Sequence, residues 1–310
     1  MLATYEVHQG DSVELMYRIE PDSVALSVWS PPYNVGKDYE AGRSTEDWER
    51  LLAEVIQGHL HALKPAGFCA INIADILCYP DELMPRIQAE TIGPRRIKLT
   101  RGQVLAAAAE LGTESRYVLA DHFGVSEQTI DRRLKGVNIR GGKYQTQTRI
   151  KHVAGMIENM ALDAGLYPYD RRVWKKDPAW ANSRWHTSSL RAIDEFEYIF
   201  ILWKPGETIV NRDRLTPLEW KQWGSRGVWE FPSVRANNDH EAKFPLELPT
   251  RLIRLLTDPG DVVLDPFAGS GTSLAAAIRL GRQPIGIELS PPYVALSRRT
   301  MRDALESKQL

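Results

Sequence analysis

A chain of 310 residues, 43% hydrophobic and 25% charged, has a globular composition that excludes bulk disorder and collagen-like structure. Thirty-nine basic against forty acidic residues give a net charge of −1, which excludes a protein that coats polyanions through overall charge. The sequence has no apolar run of membrane-spanning length and no signal-peptide pattern, and its two cysteines, Cys69 and Cys78, cannot build a disulfide framework, so a reduced cytoplasmic setting is expected.

In chain order, Val24–Trp29 (VALSVW) reads as a buried strand stopped by Ser30-Pro31-Pro32-Tyr33. Two consecutive prolines offer no amide for ladder bonding, so a rigid loop is expected there. Residues 45–63 carry Trp48, Leu51, Leu52, Val55, Ile56, Leu60 and Leu63 at helical spacing. Lys64-Pro65-Ala66-Gly67 ends that helix, and residues 68–73 return as a strand. Alternating strands and helices imply an α/β fold with a mostly parallel sheet.

The pattern changes from about residue 94. Within 116–136, Leu119, Ala120 and Phe123 share a helical face, Gly124 supplies a bend, and Ser126 is a natural N-cap for a second helix carrying Ile130 and Leu134. That is the signature of a helix-turn-helix, with an unrelated helical hairpin as the alternative. Arg132, Arg133, Lys135, Arg140, Lys143, Arg149 and Lys151 follow with no acid between them, forming either a solvated loop or a phosphate-binding face. Residues 94–151 thus read as a helical insertion, with 1–93 before it and 152–310 after it. Phe196–Trp203 reads as a strand, 204–239 as a long functional loop, Val262–Asp265 as a strand, 272–280 as a helix and 284–289 as a strand.

Asp265-Pro-Phe267-Ala268-Gly269-Ser270-Gly271-Thr272 joins a buried strand to a helix, as in nucleotide-binding α/β folds. It is not a phosphate loop, because no Lys follows Gly271, and Leu274 replaces the third glycine of the dinucleotide fingerprint. Glu288, ending the next strand, offers a carboxylate to both ribose hydroxyls. The chemistry suggests a nucleoside without pyrophosphate. The histidines show no metal spacing, and no metal is expected.

DPFAGSGT followed by IGIEL resembles the S-adenosyl-methionine site of DNA amino-methyltransferases, and SPPY after VALSVW resembles their catalytic tetrapeptide. His240, Phe244 and Pro245, with Leu248-Pro249, resemble the segment lining the methionine end of the cofactor. Gly10-Asp11-Ser12 resembles the acidic loop that would put Asp11 near the adenine. The tetrapeptide precedes the cofactor loop, the permuted order of the family's beta group. The resemblance covers about residues 5–93 and 152–300, leaving the insertion outside it. It implies a Rossmann-like methyltransferase fold, cofactor contacts along 265–272, and a cofactor-binding half over 240–310.

It also implies methyl transfer to an exocyclic amine whose lone pair is delocalised into the base. The Ser30 hydroxyl and Pro31 carbonyl would draw that lone pair out of conjugation, Pro32 would stiffen the turn, and Tyr33 would stack a flipped base. A serine nucleophile is rejected because no GxSxG elbow surrounds Ser30. Methylation at cytosine C5 is disfavoured because neither cysteine follows a proline, as that chemistry requires in its own family. Serine in the first tetrapeptide position leans toward cytosine N4 over adenine N6. RNA or protein-amide methylation, and a DNA-binding regulator with a degenerate methyltransferase fold, are the rivals. The implied partner is double-stranded DNA, with a cognate restriction endonuclease left open and no membrane. Target reading is expected from the 204–239 interval, where Arg212, Arg214, Lys221, Arg226 and Arg235 interleave with Trp220, Trp223 and Trp229, with a structural loop pinned by buried tryptophans as the alternative, and from the insertion. There Glu127, Gln128, Asp131 and Arg132 would face base edges, while Arg133, Lys135, Arg140 and Lys143 would face phosphates.

Overall fold

The computed structural model describes residues 1–32, 44–91, 99–134, 142–178, 192, 194–234 and 244–309. The chain divides into two compact units. The first comprises Met1–Tyr79, Ile150–Pro178 and Glu195–Leu310; the second comprises Pro80–Arg149 and Ala179–Asp194.

The first unit begins with β1 (Glu6–Gln9), α1 (Ser12–Met16), β2 (Val24–Trp29), α2 (Thr45–Ala62), β3 (Leu63–Ile73) and β4 (Ile76–Pro80). In α2 a reciprocal capping box between Ser44 and Asp47 starts the helix, and Trp48, Leu52, Val55, Ile56 and His59 form its buried stripe. The helix stops at Ala62, one residue before the expected end. Leu63 already pairs with Val24, so β3 is longer than the expected 68–73 and carries a register shift before Phe68.

After the second unit the chain returns as β7 (Thr148–Lys151, following β5 and β6 below), α6 (Ala154–Asp163), β8 (Tyr167–Lys175) and β9 (Phe196–Trp203). Then come α7 (Pro217–Glu219), β10 (Val228–Glu230), α8 (Glu247–Leu256), β11 (Val262–Asp265), α9 (Thr272–Arg279), β12 (Gln283–Glu288) and α10 (Pro291–Gln309). Among the described residues one sheet has eight strands in the order β1-β12-β11-β2-β3-β9-β8-β10, with β9 antiparallel to both of its neighbours and every other pairing parallel. Helices cover both faces, so the architecture is Rossmann-like α/β. β2 shows the layering. Leu26 and Val28 join a core with Leu248, Leu252 and Ala276, whereas Trp29 joins one with Trp48, Leu52 and Val55.

The interval 204–239, expected as a loop, instead holds short elements: a 3-10 turn at Arg212–Arg214, α7, a π-type turn at Trp220–Gly224, and β10. Elements of three to five residues are too short to show a period, which is why the sequence hid them. They are pinned to α8. The Arg251 guanidinium lies 5.4, 5.5 and 5.0 Å from the rings of Trp223, Trp229 and Phe231, and Arg254 pairs with Glu219. That hydrogen-bonded pairing holds the Glu219 carboxyl down at about 2.

The second unit contains β5 (Ile87–Thr91), α3 (Arg101–Glu110), α4 (Arg116–Phe123), α5 (Glu127–Leu134) and β6 (Gly142–Thr146). Its main segment runs from Pro80 to Arg149, against the 94–151 read from sequence. It starts earlier because β5, ahead of the helices, pairs antiparallel with β6 behind them, from Ile87↔Thr146 to Thr91↔Gly142.

Candidate active site

β2 and β11 are adjacent and parallel, Leu264 standing opposite Ser27, so Ser30-Pro31-Pro32 and the turn after Asp265 leave the same edge of the sheet. From β2 the chain proceeds through α2 to β3 on one side; from β11 it proceeds through α9 to β12 on the other. The two turns therefore flank a point where strand order reverses, where α/β sheets form ligand crevices. Trp29 and Phe267, one at the root of each turn, bring their ring centroids within 5.4 Å.

The turn after β11 is a hydrogen-bonded cradle. Asp265 is buried; its carboxylate accepts the Phe267 N–H at 2.9 Å and the Ser273 hydroxyl. Burial outweighs these bonds and pushes the carboxyl up to about 7. The Ala268 N–H donates to the Ile287 carbonyl at 2.9 Å, and the Gly269 N–H to Glu288 Oε2 at 2.8 Å. The other Glu288 oxygen accepts the Ser290 N–H at 2.8 Å. Each carboxylate oxygen has a second lone pair, so Glu288 can hold the turn and still accept ligand hydroxyls. Gly271 caps α9 at φ +81°, and a Cβ there would stand 2.6 Å from Ser297 Oγ. Ser270 and Thr272 share a hydroxyl contact of 3.1 Å at the start of α9.

The loop after β1 joins this cradle. The Gly10 N–H donates to the Glu288 carbonyl at 3.1 Å, and the Ser12 hydroxyl to the Pro266 carbonyl at 2.5 Å. Asp11 caps α1 by accepting the Val13 N–H at 2.8 Å. The Gly10-Asp11-Ser12 resemblance gives a role to Asp11 alone; the Ser12 bond to Pro266, 254 residues away, has no local signal. Phe244 and Pro245, both half-buried, lead into α8, where the Pro245 carbonyl accepts the Leu248 N–H.

On the acceptor side Pro31 is buried, while Ser30 and Pro32 are half-buried. The Trp48 indole donates to the Pro32 carbonyl at 2.5 Å. Behind the turn, Trp29 stacks on His59 at 5.7 Å and donates its indole N–H to Cys69 Sγ at 3.2 Å. His59 Nε2 lies 2.8 Å from Ser27 Oγ; full burial holds the imidazole down at about 4, and the same burial pushes the Cys69 thiol up to about 12. The sequence carries no sign that Trp29, His59 and Cys69 meet, because only the fold brings α2 against the end of β2. Tyr33 and His240 lie outside the described residues, and among the described residues no group of three His, Cys, Asp or Glu could hold a metal.

In the second unit, α3, α4 and α5 surround a core of Leu99, Val104, Ala107, Leu119, Ala120 and Ile130. Gly124 caps α4 at φ +61° with nothing near its missing Cβ, so backbone conformation alone calls for glycine. The Val125 N–H donates to the Ala120 carbonyl at 2.9 Å, and the Thr129 N–H to the Ser126 carbonyl at 2.8 Å. Three short helices thus pack together, with a glycine-capped bend between α4 and α5. Asp131 is paired with Arg116 at 2.7 Å, a contact that links α4 and α5. Gln128, Arg132 and Arg133 lie on α5, the two arginines half-buried; Lys143 lies on β6; Lys135 and Arg140 fall outside the described residues. In the first unit Arg212 and Arg226 are exposed, Arg212 resting 4.9 Å over the Trp220 ring.

Comparison with known proteins adds to this geometry. The model of a DNA methylase family, N6_N4_Mtase, matches residues 24–299. The chain is 54% identical to Type II methyltransferase M.BglI of Bacillus subtilis over 294 residues, covering 95% of this chain and 84% of that protein. It is 42% identical to DNA adenine methyltransferase YhdJ of Escherichia coli, covering 94% and 81%. Among solved structures, a DNA modification methylase of Thermus thermophilus complexed with S-adenosyl-L-methionine shares the fold at TM-score 0.61 and 24% identity, covering 97% of this chain and 94% of that one.

Proposed function

The chain belongs to the DNA methylase family whose members modify an exocyclic amine, adenine N6 or cytosine N4, and we propose that cytosine N4 is its target in double-stranded DNA. The observation that carries this reading is the shared edge: a cradle suited to a nucleoside beside a proline-stiffened turn suited to an amine. S-adenosyl-methionine, when bound, supplies an electrophilic methyl group. Asp11, Phe244, Pro245 and His240, the segment from Asp265 through Phe267, Ala268, Gly269, Ser270 and Gly271 to Thr272, and Glu288 would hold it. The residues fit: Glu288 retains acceptor capacity for a ribose, and Gly269 and Gly271 take the left-handed backbone that shapes the turn.

On the acceptor side, Ser30 Oγ and the Pro31 carbonyl accept the hydrogens of the target amine, stabilising positive charge as it develops on nitrogen. Pro32 holds the turn rigid and Tyr33 stacks on the flipped base. Alignment of amine and methyl contributes up to about 7–11 kcal/mol of barrier lowering. Serine at the first tetrapeptide position favours cytosine; adenine N6 is the second reading, favoured by the YhdJ relative.

Arg212 and Arg226 in the first unit, and Gln128, Arg132, Arg133, Lys135, Arg140 and Lys143 in the second, would contact DNA. Phosphates would be bound by the cations, and Gln128 and Arg132 would read base edges. The Type II relative extends the proposal to a restriction–modification pair in the bacterial cytoplasm, with a cognate endonuclease as counterpart.

The test is to incubate the protein with DNA and methyl-labelled cofactor, digest to nucleosides and weigh the products. N4-methylcytosine is expected, with Ser30→Ala reducing its yield at least about tenfold. N6-methyladenine would move the target to the second reading, and an unmethylated product would sink both.

A further inference from the structure

The acceptor turn has a conformational problem that its own residues cannot solve. Pro31 and Pro32 have no backbone N–H, so the turn cannot close on itself through their amides. Ring closure fixes φ at each proline, leaving ψ as the soft torsion of each residue. ψ of Pro32 orients the Pro32 carbonyl, and that carbonyl is the one the Trp48 indole N–H reaches at 2.5 Å.

Trp48 is well placed to act as a fixed donor. It is 2% exposed and sits four residues beyond Ser44, whose capping box with Asp47 sets where α2 begins. Its ring packs in the core with Leu52, Val55 and Trp29, so the indole cannot swing away without opening that core. A neutral hydrogen bond between a buried donor and a carbonyl is strongest where water is excluded, and an indole N–H has no alternative role as acceptor.

We propose that Trp48 is a positioning residue for methyl transfer. It fixes the last soft torsion of the proline pair, which sets the peptide plane leading out of Pro32 and so the orientation in which the turn presents Ser30 and Pro31 to the target amine. This rests on the function proposed above. It goes beyond it in assigning rate control to a side chain outside the tetrapeptide and outside the cofactor cradle.

The role separates chemistry from binding. The test compares the wild-type protein with Trp48→Phe and with a protein carrying benzothienylalanine at position 48, which keeps the shape of indole but replaces its N–H by sulfur. Single-turnover methyl transfer to duplex DNA, cofactor Kd measured without DNA, and thermal unfolding are read for each. Transfer is expected to fall about tenfold in both altered proteins, with cofactor Kd within about twofold of wild type. The benzothienylalanine protein is expected to unfold within about 4 °C of the wild-type temperature. Transfer within about twofold of wild type in that protein would overturn the proposal, as would equal losses in rate and cofactor affinity, which mark a merely structural residue. A wild-type protein inert toward DNA would instead overturn the underlying function, and this inference with it.

Discussion

At the end of β11 the chain is held by polar groups: backbone amides on Glu288, an amide and a hydroxyl on Asp265, and a glycine whose φ of +81° starts α9. One strand away, at the end of β2, the chain is held by rings: Trp29 between His59 and Phe267, and Trp48 on the Pro32 carbonyl. A cradle that must close around a polar ligand needs amides, carboxylates and room. A turn that must orient two acceptors needs stiffness, and aromatic packing supplies it with few degrees of freedom. Damage to the first should appear in affinity, and damage to the second in rate.

The largest effect expected from breaking this contrast is that of Gly271→Ala. The new Cβ would lie 2.6 Å from Ser297 Oγ and 3.0 Å from its Cα, on a backbone conformation that L-residues disfavour by about 1–2 kcal/mol. Cofactor affinity by calorimetry should drop at least about 100-fold, since Ser297 can yield only by shifting α10. Retained affinity would mean the cradle is soft.

Trp29→Phe should do less. It removes the donor to Cys69 and one ring of the stack, so the midpoint of urea unfolding should reveal a loss of about 1–3 kcal/mol. The single-turnover rate should fall further than cofactor affinity does. Equal falls would mean that the ring only fills space.

The smallest effect lies in pH. Asp265, raised by burial to about 7 in the folded chain, contributes most below its unfolded value of 3.8, and that contribution is lost as pH rises toward 7. His59, lowered by burial to about 4, contributes fully above 6.5, and that contribution is lost as pH falls toward 4. The two slopes oppose one another between about pH 4 and 6.5. His59→Gln should unmask the aspartate. Urea midpoints should then decline from pH 4 to 7, with a limiting slope of about 1.4 kcal/mol per unit. A flat profile in that variant would refute the assignment.

Much of this arrangement was legible in the sequence, and what was missed has a common cause. VALSVW, VVLD and the helix at Thr272 are local patterns whose periodicity or apolar run names the element, and the motifs at Ser30 and Asp265 mark its end. β8 and the pieces of 204–239 are defined by partners distant in sequence. Trp174 and Trp229 stand opposite one another only once β10 lies beside β8, and the aromatic rings of 223–231 gather around Arg251 only once the fold lays that stretch against α8. The pairing of Asp131 on α5 with Arg116 on α4 is a contact between helices that no local pattern shows. Ser12 and Trp48 escaped for the same reason, since both act on carbonyls of residues that only the folded sheet brings near.

The β5–β6 ladder has an evolutionary corollary. Because Thr91 and Gly142 stand side by side, the polypeptide departs and comes back through neighbouring positions, roughly 5 Å apart. A module grafted through such a narrow stem can be exchanged, lengthened or pruned by recombination at the stem without threading any new strand into the main sheet.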